Sequence, residues 1–566
     1  MLAQAKGFVH NSHAMKEKNR LYYGDNLDVL RRYVADKSVD LVYLDPPFNS
    51  NASYNVLFKE HNGAEAESQI RAFEDTWRWD MTAARAYKET VEAGGRVSEA
   101  LQAFRKLVGE SDILAYLSMM APRLQALRRV LKPQGAIFLH CDPTASHYLK
   151  LLMDSVFGAG LFRNEIIWQR TNAKGLAFTR FARNHDVILW FAKEEKYTWH
   201  PPYVSHDPEY VRKFYRHVEP ETGRRYRLAD LTNPSKKRAN LTYEVLGVTR
   251  VWRWTKERME EAHRNGLVVQ SHPGAVPALK RYLDEQEGTP IGDTWTDIRP
   301  VQSQAAERLG YPTQKPLALM ERIIQACSSE DDLVLDPFCG CGTTIDAAEK
   351  LGRRWIGIDI THLAINLIRH RLQDTYGEEI NKTYDVIGEP TSVPDARVLA
   401  EQDPFQFQWW ALGLVGARPV EQKKGADKGI DGRLYFHDDE PMQKTKQVIF
   451  SVKAGKTNVS HVRDLRCVVE RENAEIGVLM SMHSHTKDMR AEAAAAGFYE
   501  SPWGKHPRIQ LLTVGDLLRG VRVDMPPAKG VNVTFKKARR HSPGGDDQMM
   551  LREDHEAYDA SEAGIE

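Results

Sequence analysis

Residues 333–344 read LVLDPFCGCGTT, and this stretch decides the fold. An apolar run typical of a buried strand ends on Asp336, and a glycine-rich turn then leads into a helical pattern. Glycines at such a turn let the backbone approach a ligand closely, and the N-terminus of the following helix favours an oxygen-rich ligand. The turn reads FxGxG, which differs from the GxGxxG of dinucleotide sites and lacks the GK[ST] of a P-loop. We therefore expect a ligand pocket at Phe338, Gly340 and Gly342.

The next strand, RRWIGIDI (353–360), also ends on an acid, Asp359. An acid about twenty residues beyond such a turn is placed to accept hydrogen bonds from ribose hydroxyls. The two strand ends together predict a site for a nucleoside ligand. The alternative interpretation is an ordinary βα unit with capped strand ends.

A third strand end joins acceptors to an aromatic ring. Residues 41–50 read LVYLDPPFNS, in which Asp-Pro alone is ordinary turn chemistry. A base flipped out of a duplex needs an acceptor for its exocyclic amine and an aromatic face to stack on. Asp45 can accept from the amine, and Phe48 can stack on the ring. Pro46 and Pro47 have no N–H, so their backbone offers only carbonyl acceptors.

Length and composition bound the class of protein. A chain of 566 residues is expected to form about three or four domains. Its net charge of +1 indicates that the chain as a whole is not a basic nucleic-acid-binding protein. Strands alternate with helices from residue 21, including a helix over 111–133 that Pro133 ends, which predicts an α/β fold with a mostly parallel, doubly wound sheet. Five cysteines, no long apolar run and no apolar signal core favour a soluble, cytoplasmic protein.

Segment 200–300 has a different character. It is rich in Arg, Lys, Tyr and Trp, as in GRRYRLADLTNPSKKRANL (223–241), and its periodicity is weak. A basic stretch interleaved with aromatic residues fits either a solvated loop region or a nucleic-acid surface.

The DPPF motif, the YPTQKP motif (311–316) and the FxGxG motif together resemble the amino-methyltransferases of DNA. Their order, with a long basic segment between them, looks like the β-class, a circular permutation of the S-adenosylmethionine-dependent fold. The resemblance covers residues 18–385. It implies a methyltransferase N-terminal part at 1–199, a target-recognition insert at 200–300 and a C-terminal part with the cofactor site at 301–385.

The resemblance also implies roles for individual residues. Asp336 is expected near the methionine ammonium of S-adenosyl-L-methionine, and Asp359 at its ribose. Phe338, Gly340 and Gly342 are expected to shape the cofactor pocket, with Asp25 as a weaker candidate. Thr313 and Lys315 are expected near the methionine carboxylate. Asn49 and Tyr54 either order the loop over the base or are solvated polar residues of that loop.

The implied reaction is direct methyl transfer to an exocyclic amine of double-stranded DNA. Hydrogen bonds from the amine to Asp45 and a proline carbonyl draw its lone pair out of the ring. DPPF favours adenine N6 over cytosine N4, for which serine in the first position is commoner in this family. Two other classes stay open, namely a DNA-binding or sensing protein and a methylase of RNA or a small molecule.

The C-terminal part has its own motifs. GADKGIDG (425–432) and the strand ending SVK (451–453) resemble an Mrr-like restriction nuclease of the PD-(D/E)xK group, here 403–524 after a linker at 386–402. In that resemblance Asp431 binds a divalent metal, Mg²⁺ if the domain is active, and Lys453 polarises water or phosphate. Ser451 stands where the family has Glu, Asp or Gln, and a hydroxyl is a weaker ligand for a hard cation. Cleavage and DNA binding without cleavage both stay open.

The sequence also predicts the character of the C-terminal tail and the binding partners. Residues 525–566 have few large apolar residues and are predicted to be disordered. Double-stranded DNA is the expected partner, no membrane is expected, and pairing of two chains into a homodimer is left open.

Overall fold

The computed structural model describes residues 17–47, 79–171, 181–235, 237–302, 305, 307–309, 311, 313–420, 429–438 and 445–527. The chain divides into two compact units, one of residues 1–199 and 294–566 and one of residues 200–293. Phe48, Asn49 and Tyr54 and most of the predicted tail lie outside the described residues.

The first stretch of the larger unit alternates strands and helices as predicted. Its elements are β1 (Asn19–Tyr23), α1 (Asn26–Tyr33), β2 (Val39–Leu44), α2 (Met81–Glu92), α3 (Gly95–Val108), α4 (Asp112–Val130), β3 (Leu131–Cys141), α5 (Ser146–Phe157), β4 (Phe162–Gln169) and β5 (His185–Ala192).

The smaller unit is described by itself. Its elements are β6 (Tyr203–Val204), α6 (Pro208–Phe214), β7 (His217–Val218), β8 (Arg225–Asp230), β9 (Thr242–Val245), β10 (Val248–Val251), α7 (Lys256–Arg264), β11 (Val268–Val269), β12 (Ala278–Tyr282) and β13 (Thr289–Pro290). It has its own core around Trp252, Met259 and Leu231, so the segment of weak periodicity is a folded unit. Cations lie over its rings, as Arg224 does over Tyr282 at 3.8 Å.

The α/β alternation then resumes. The elements are β14 (Thr294–Trp295), α8 (Leu317–Cys327), β15 (Leu333–Asp336), α9 (Thr343–Lys350), β16 (Arg354–Asp359), α10 (His362–Tyr376) and β17 (Tyr384–Ile387).

The C-terminal part contains a second α/β sheet. Its elements are α11 (Val393–Gln402), α12 (Pro404–Leu414), β18 (Arg418–Pro419), β19 (Gly432–Phe436), β20 (Lys446–Lys453), α13 (Val459–Arg471), β21 (Ile476–Ser481), α14 (Lys487–Ala494), β22 (Phe498–Ser501), β23 (Gly504–Pro507), β24 (Ile509–Thr513) and α15 (Val514–Leu518). The sheet runs in the order β18-β19-β20-β21-β24.

The large sheet confirms the predicted mostly parallel architecture. Its strand order among the described residues is β14-β4-β5-β3-β2-β15-β16-β1-β17. β5 runs antiparallel to β3 and β4, and the other neighbouring strands pair in parallel. Because β2, β15, β16 and β1 are parallel neighbours, their carboxyl ends meet at one edge of the sheet, where α/β folds bind ligands.

Two expectations need correction. The helix predicted over 111–133 ends at Val130, and Pro133 lies inside β3. The pairing of β2 with β3 shifts register between Val39 and Leu41, and such an irregularity tolerates a residue without an N–H.

The linker predicted at 386–402 contains β17's last residues and the helix α11. Ala396 and Ala400, one helical turn apart, lie buried in the core of the C-terminal sheet. The C-terminal domain therefore begins earlier than its motifs indicate. None of the helices in the described part of the chain is long and apolar enough to cross a membrane.

Candidate active site

Three acids stand where the parallel strands end. Asp336 is the last residue of β15, Asp359 is the last of β16, and Asp45 follows β2 directly. The charges of Asp45 and Asp359 both act on the carboxyl group of Asp336, so the three lie within electrostatic reach of each other. The structure therefore brings together the strand ends that the sequence singled out.

The glycine turn between β15 and α9 has a backbone conformation that requires glycine at two positions. Gly340 and Gly342 have φ angles of +49° and +75°, which favour glycine. A Cβ on Gly340 would lie 3.2 Å from the ring of Tyr311, and one on Gly342 would lie 2.7 Å from the side chain of Ile368. The loop is thus packed closely from both sides. Phe338 is half-buried and packs against the main core.

Asp336 is buried, and its neighbours partly compensate for that burial. Its Oδ1 accepts a hydrogen bond from the backbone N–H of Phe338 at 3.0 Å. Burial, together with the charges of Asp45 and Asp359, raises the pKa of Asp336 to about 7. A carboxyl group in this condition gains most from a cationic ligand, since a cation favours its ionised form.

Asp359 accepts hydrogen bonds from the glycine turn and from the residue that precedes α10. Its Oδ2 accepts from the N–H of Gly340 at 3.0 Å, and its Oδ1 accepts from the N–H and Oγ1 of Thr361 at 2.9 and 2.8 Å. Burial raises the pKa of Asp359 to about 6, although these hydrogen bonds oppose the rise. The acid thereby connects the glycine turn to the start of α10.

Asp45 is held by a cation from the YPTQKP motif. The Nζ of Lys315 donates to Oδ2 of Asp45. Oδ1 of Asp45 is buried and has no hydrogen-bond partner among the described residues. Pro46 and Pro47 follow directly, and Thr313, two residues before Lys315, is exposed. One carboxylate oxygen is therefore paired and the other is left as an acceptor.

Asp25 lies at the same edge but already has partners. Its Oδ1 caps α1 by accepting from the N–H of Asp28, and its Oδ2 accepts from Arg123 at 2.5 Å. The side chain of Asp25 is about half exposed (45%). The structure thus gives this acid a capping role.

A buried polar network supports β2 just before Asp45, and sequence reasoning missed it. Tyr43 Oη donates to Nδ1 of His140 at 2.9 Å, and Nε2 of His140 donates to Asp186 at 3.2 Å. Burial acts to raise the pKa of Asp186, but the hydrogen bond from His140 and the nearby charges of Lys315 and Arg170 hold it below its usual value. The three side chains come from neighbouring strands, so only the register brings them together.

Ile360 is a further residue that sequence reasoning missed. It follows Asp359 directly and is more than half exposed (54%), although its neighbours are buried. An exposed apolar side chain beside a buried acid is available to contact an apolar or aromatic part of a ligand. The signal was an apolar residue at a strand end where a polar one is usual.

The C-terminal motif residues lie close together. Oδ2 of Asp431 accepts from the N–H of Val452 at 2.6 Å and lies 3.6 Å from Nζ of Lys453. Ser451 is buried on the adjacent strand β20. The amide of Gln408, on α12, donates to the backbone carbonyl of Asp431 at 3.3 Å, and this residue was missed.

Known proteins are similar to both parts of the chain. Residues 39–370 match the family described as DNA methylase, and residues 399–519 match the family described as restriction endonuclease. The Type II methyltransferase M.EcaI of Enterobacter cloacae is 29% identical over 358 residues, which cover 62% of this chain and 69% of that one. The Type III restriction-modification enzyme StyLTI Mod subunit of Salmonella typhimurium is 28% identical, and the match covers 60% of this chain and 50% of that one.

A solved structure is also similar. It is a putative DNA modification methylase of Thermus thermophilus complexed with S-adenosyl-L-methionine, 17% identical with a TM-score of 0.32, and the match covers 66% of this chain and 100% of that one. The match to the methylase family takes in more than half of the residues. The chain therefore belongs to the DNA methylase family and carries a C-terminal domain of the restriction endonuclease family.

Proposed function

We propose that this protein transfers a methyl group from S-adenosyl-L-methionine to the exocyclic amine of a flipped base in double-stranded DNA, with adenine N6 as the target. The observation that carries the proposal is the state of Asp45. One of its oxygens is paired with Lys315 and the other is buried without a partner among the described residues, at the strand end beside the acids of the glycine turn.

The strand-end residues fit the cofactor. Asp336, with its raised pKa, is suited to the methionine ammonium, and Asp359 is suited to the ribose hydroxyls. Ile360 offers an apolar contact for the adenine, and the backbone of Gly340 and Gly342 leaves room for close approach. When bound, the cofactor supplies an electrophilic methyl group, so the protein needs no nucleophile of its own.

The protein's task is then to prepare the amine. Its nitrogen lone pair is delocalised into the ring of the base. A hydrogen bond from the amine to Oδ1 of Asp45, and a second one to a backbone carbonyl at Pro46 or Pro47, favours a tetrahedral nitrogen with its lone pair free. Asp45 need not be a strong base, because the nitrogen loses its proton readily once it has been methylated.

The motif itself supports adenine as the base. DPPF begins with aspartate, whereas the cytosine-N4 enzymes of the family that this chain resembles more commonly have serine at that position. The smaller unit is the part that we assign to DNA reading, because it combines its own core with exposed arginine and lysine side chains.

The test is methylation of plasmid DNA by the purified protein with S-adenosyl-L-methionine, with the modified nucleoside identified by mass spectrometry. N6-methyladenine is the expected product. N4-methylcytosine would keep the mechanism and overturn the choice of base. Methylation of RNA but not of DNA would overturn the assignment of DNA as the substrate.

For the C-terminal domain we propose DNA binding without metal-dependent cleavage. Asp431 uses one oxygen for the N–H of Val452 and the ion pair with Lys453, and Ser451 offers a hydroxyl where a carboxylate is usual. Among the described residues no group of three or more His, Cys, Asp and Glu side chains could hold a metal ion. With one motif carboxylate, already paired with Lys453, this donor set is a weaker site for Mg²⁺ than one that supplies two carboxylates.

Two measurements test this second proposal. Supercoiled plasmid should stay intact with the protein and Mg²⁺ or Mn²⁺, while Lys453→Ala should weaken DNA binding by the full chain relative to wild type. Nicking that depends on the metal ion and is lost in Asp431→Ala would overturn the proposal.

A further inference from the structure

Helix α12 belongs to two cores at once. It lies inside the restriction-endonuclease match, which begins at residue 399 within α11, and outside the methylase match, which ends at residue 370. Trp410 and Phe407 are almost fully buried against the C-terminal sheet. Trp409, the residue beside Trp410, is just as buried but lies in a different cluster. A helix that is apolar on all sides is expected to be covered on all sides.

The second cluster packs against the glycine turn and α10. Trp409 packs with Tyr311, Cys341, Leu363 and Leu367. Cys341 lies between the two glycines of the turn, and the ring of Tyr311 lies over the Cα of Gly340, where a Cβ would be 3.2 Å away. Both leucines lie on α10, the helix that follows the ribose-binding acid.

Hydrogen bonds hold α12 against α10. Oε1 of Gln406 accepts from the N–H of His362 at 3.1 Å, at the first turn of α10. Nδ2 of Asn366 donates to the carbonyl of Trp409 at 3.3 Å. The helices approach so closely that a Cβ on Gly413 would lie 2.2 Å from the amide of Asn366. The two helices are therefore in close contact at this point.

We propose that α12 completes the cofactor pocket, with Trp409 as a positioning residue for S-adenosyl-L-methionine. The inference rests on the proposed function. Tyr311 and Cys341 form the outer side of the glycine turn, and Trp409 supports both from behind. Gln406 fixes the start of α10, where Thr361 holds the carboxylate of Asp359. The methylase is then incomplete without helix α12 of the nuclease-like domain.

The two adjacent tryptophans provide a matched experiment. Trp409→Leu and Trp410→Leu remove the same ring from the same helix, but from opposite cores. Binding of S-adenosyl-L-methionine to the full chain is measured by titration calorimetry, and thermal unfolding checks the fold of each variant. We expect Trp409→Leu to raise the Kd about tenfold and Trp410→Leu to leave it within about twofold while lowering the Tm.

Turnover measurements distinguish a positioning role of Trp409 from a general loss of folded enzyme. At saturating cofactor, Trp409→Leu should keep kcat within about threefold of wild type while its KM for the cofactor rises, and Trp409→Phe should recover most of the affinity. Gly413→Ala, whose Cβ would displace the amide of Asn366 from the carbonyl of Trp409 without changing either ring, should raise the Kd in the same way.

Two results would overturn the inference. One is an unchanged Kd in both Trp409→Leu and Gly413→Ala. The other is an equal loss of affinity in Trp409→Leu and Trp410→Leu, which would mean that the helix only stabilises the fold. Failure of the wild-type protein to bind S-adenosyl-L-methionine would instead overturn the proposed function on which the inference rests.

Discussion

Lys315 and Asp45 are 270 residues apart in the sequence, yet the Nζ of Lys315 donates to the Oδ2 of Asp45. The Oδ1 atom of the same carboxylate is buried without a partner among the described residues. An ion pair to one oxygen limits the rotation of the carboxylate and leaves its other oxygen to accept. In this arrangement the protein holds one oxygen of Asp45, and the amine of the target base is expected to use the other.

Lys315→Met should therefore lower turnover more than it lowers cofactor affinity. Without the cation, the Asp45 carboxylate loses its fixed orientation, and we expect kcat to fall about tenfold at saturating cofactor. Lys315→Arg keeps a cation and should recover part of the rate. A variant that loses cofactor affinity at normal kcat would place Lys315 at the methionine carboxylate, as the sequence resemblance implies.

Cofactor affinity should fall as the solution becomes more acidic than the pKa of Asp336. With that pKa at about 7, the carboxyl group carries a proton in the free protein at lower pH, and an ammonium ligand must displace it. Below that pKa, the Kd should rise by up to about tenfold for each further pH unit. Calorimetry from about pH 5.5 to about pH 8 measures this.

Asp336→Asn is the control for the pH dependence. It should bind more weakly than wild type at the alkaline end of that range and lose the Asp336 contribution to the slope, so that the two curves converge at the acidic end. Equal slopes in the two proteins would show that another group titrates.

Asp359→Asn should weaken binding of S-adenosylhomocysteine by about tenfold or more, because an amide accepts fewer hydrogen bonds from ribose hydroxyls than a carboxylate does. The amide must also satisfy the N–H groups of Gly340 and Thr361. Asp28→Asn, at an exposed position of α1, serves as the control. Unchanged affinity in Asp359→Asn would remove this acid from the ribose site.

Tyr43→Phe should lower the free energy of unfolding by about 1–3 kcal/mol, because it removes the hydroxyl that donates to Nδ1 of the fully buried His140. Denaturant unfolding measures the change. Tyr33→Phe, at a half-exposed position, should change it by less than about 0.5 kcal/mol. Equal effects of the two substitutions would contradict a structural role for the network.

The strand-end acids were predictable from the sequence, because each follows a short apolar run with a sharp end. Asp45, Asp336 and Asp359 all lie at one sheet edge, as parallel strands require. The positive φ angles of Gly340 and Gly342 explain why glycines stand in the turn that the sequence singled out. Local chemistry was enough for these features.

Long-range pairing was not accessible in the same way. The contact of Lys315 with Asp45 and the network of Tyr43, His140 and Asp186 depend on the register between strands that are distant in sequence. The two-sided burial of α12 was also missed, since an apolar helix does not indicate which core covers which face.

The most direct test of the account compares wild type with Asp45→Asn in single-turnover methylation of duplex DNA at saturating S-adenosyl-L-methionine. Asparagine keeps the size of the side chain but replaces one acceptor oxygen with a donor. We expect the rate of methyl transfer to fall by about a hundredfold or more while the Kd for the cofactor stays within about twofold. A rate close to that of wild type, with the same methylated base, would contradict the central role of Asp45.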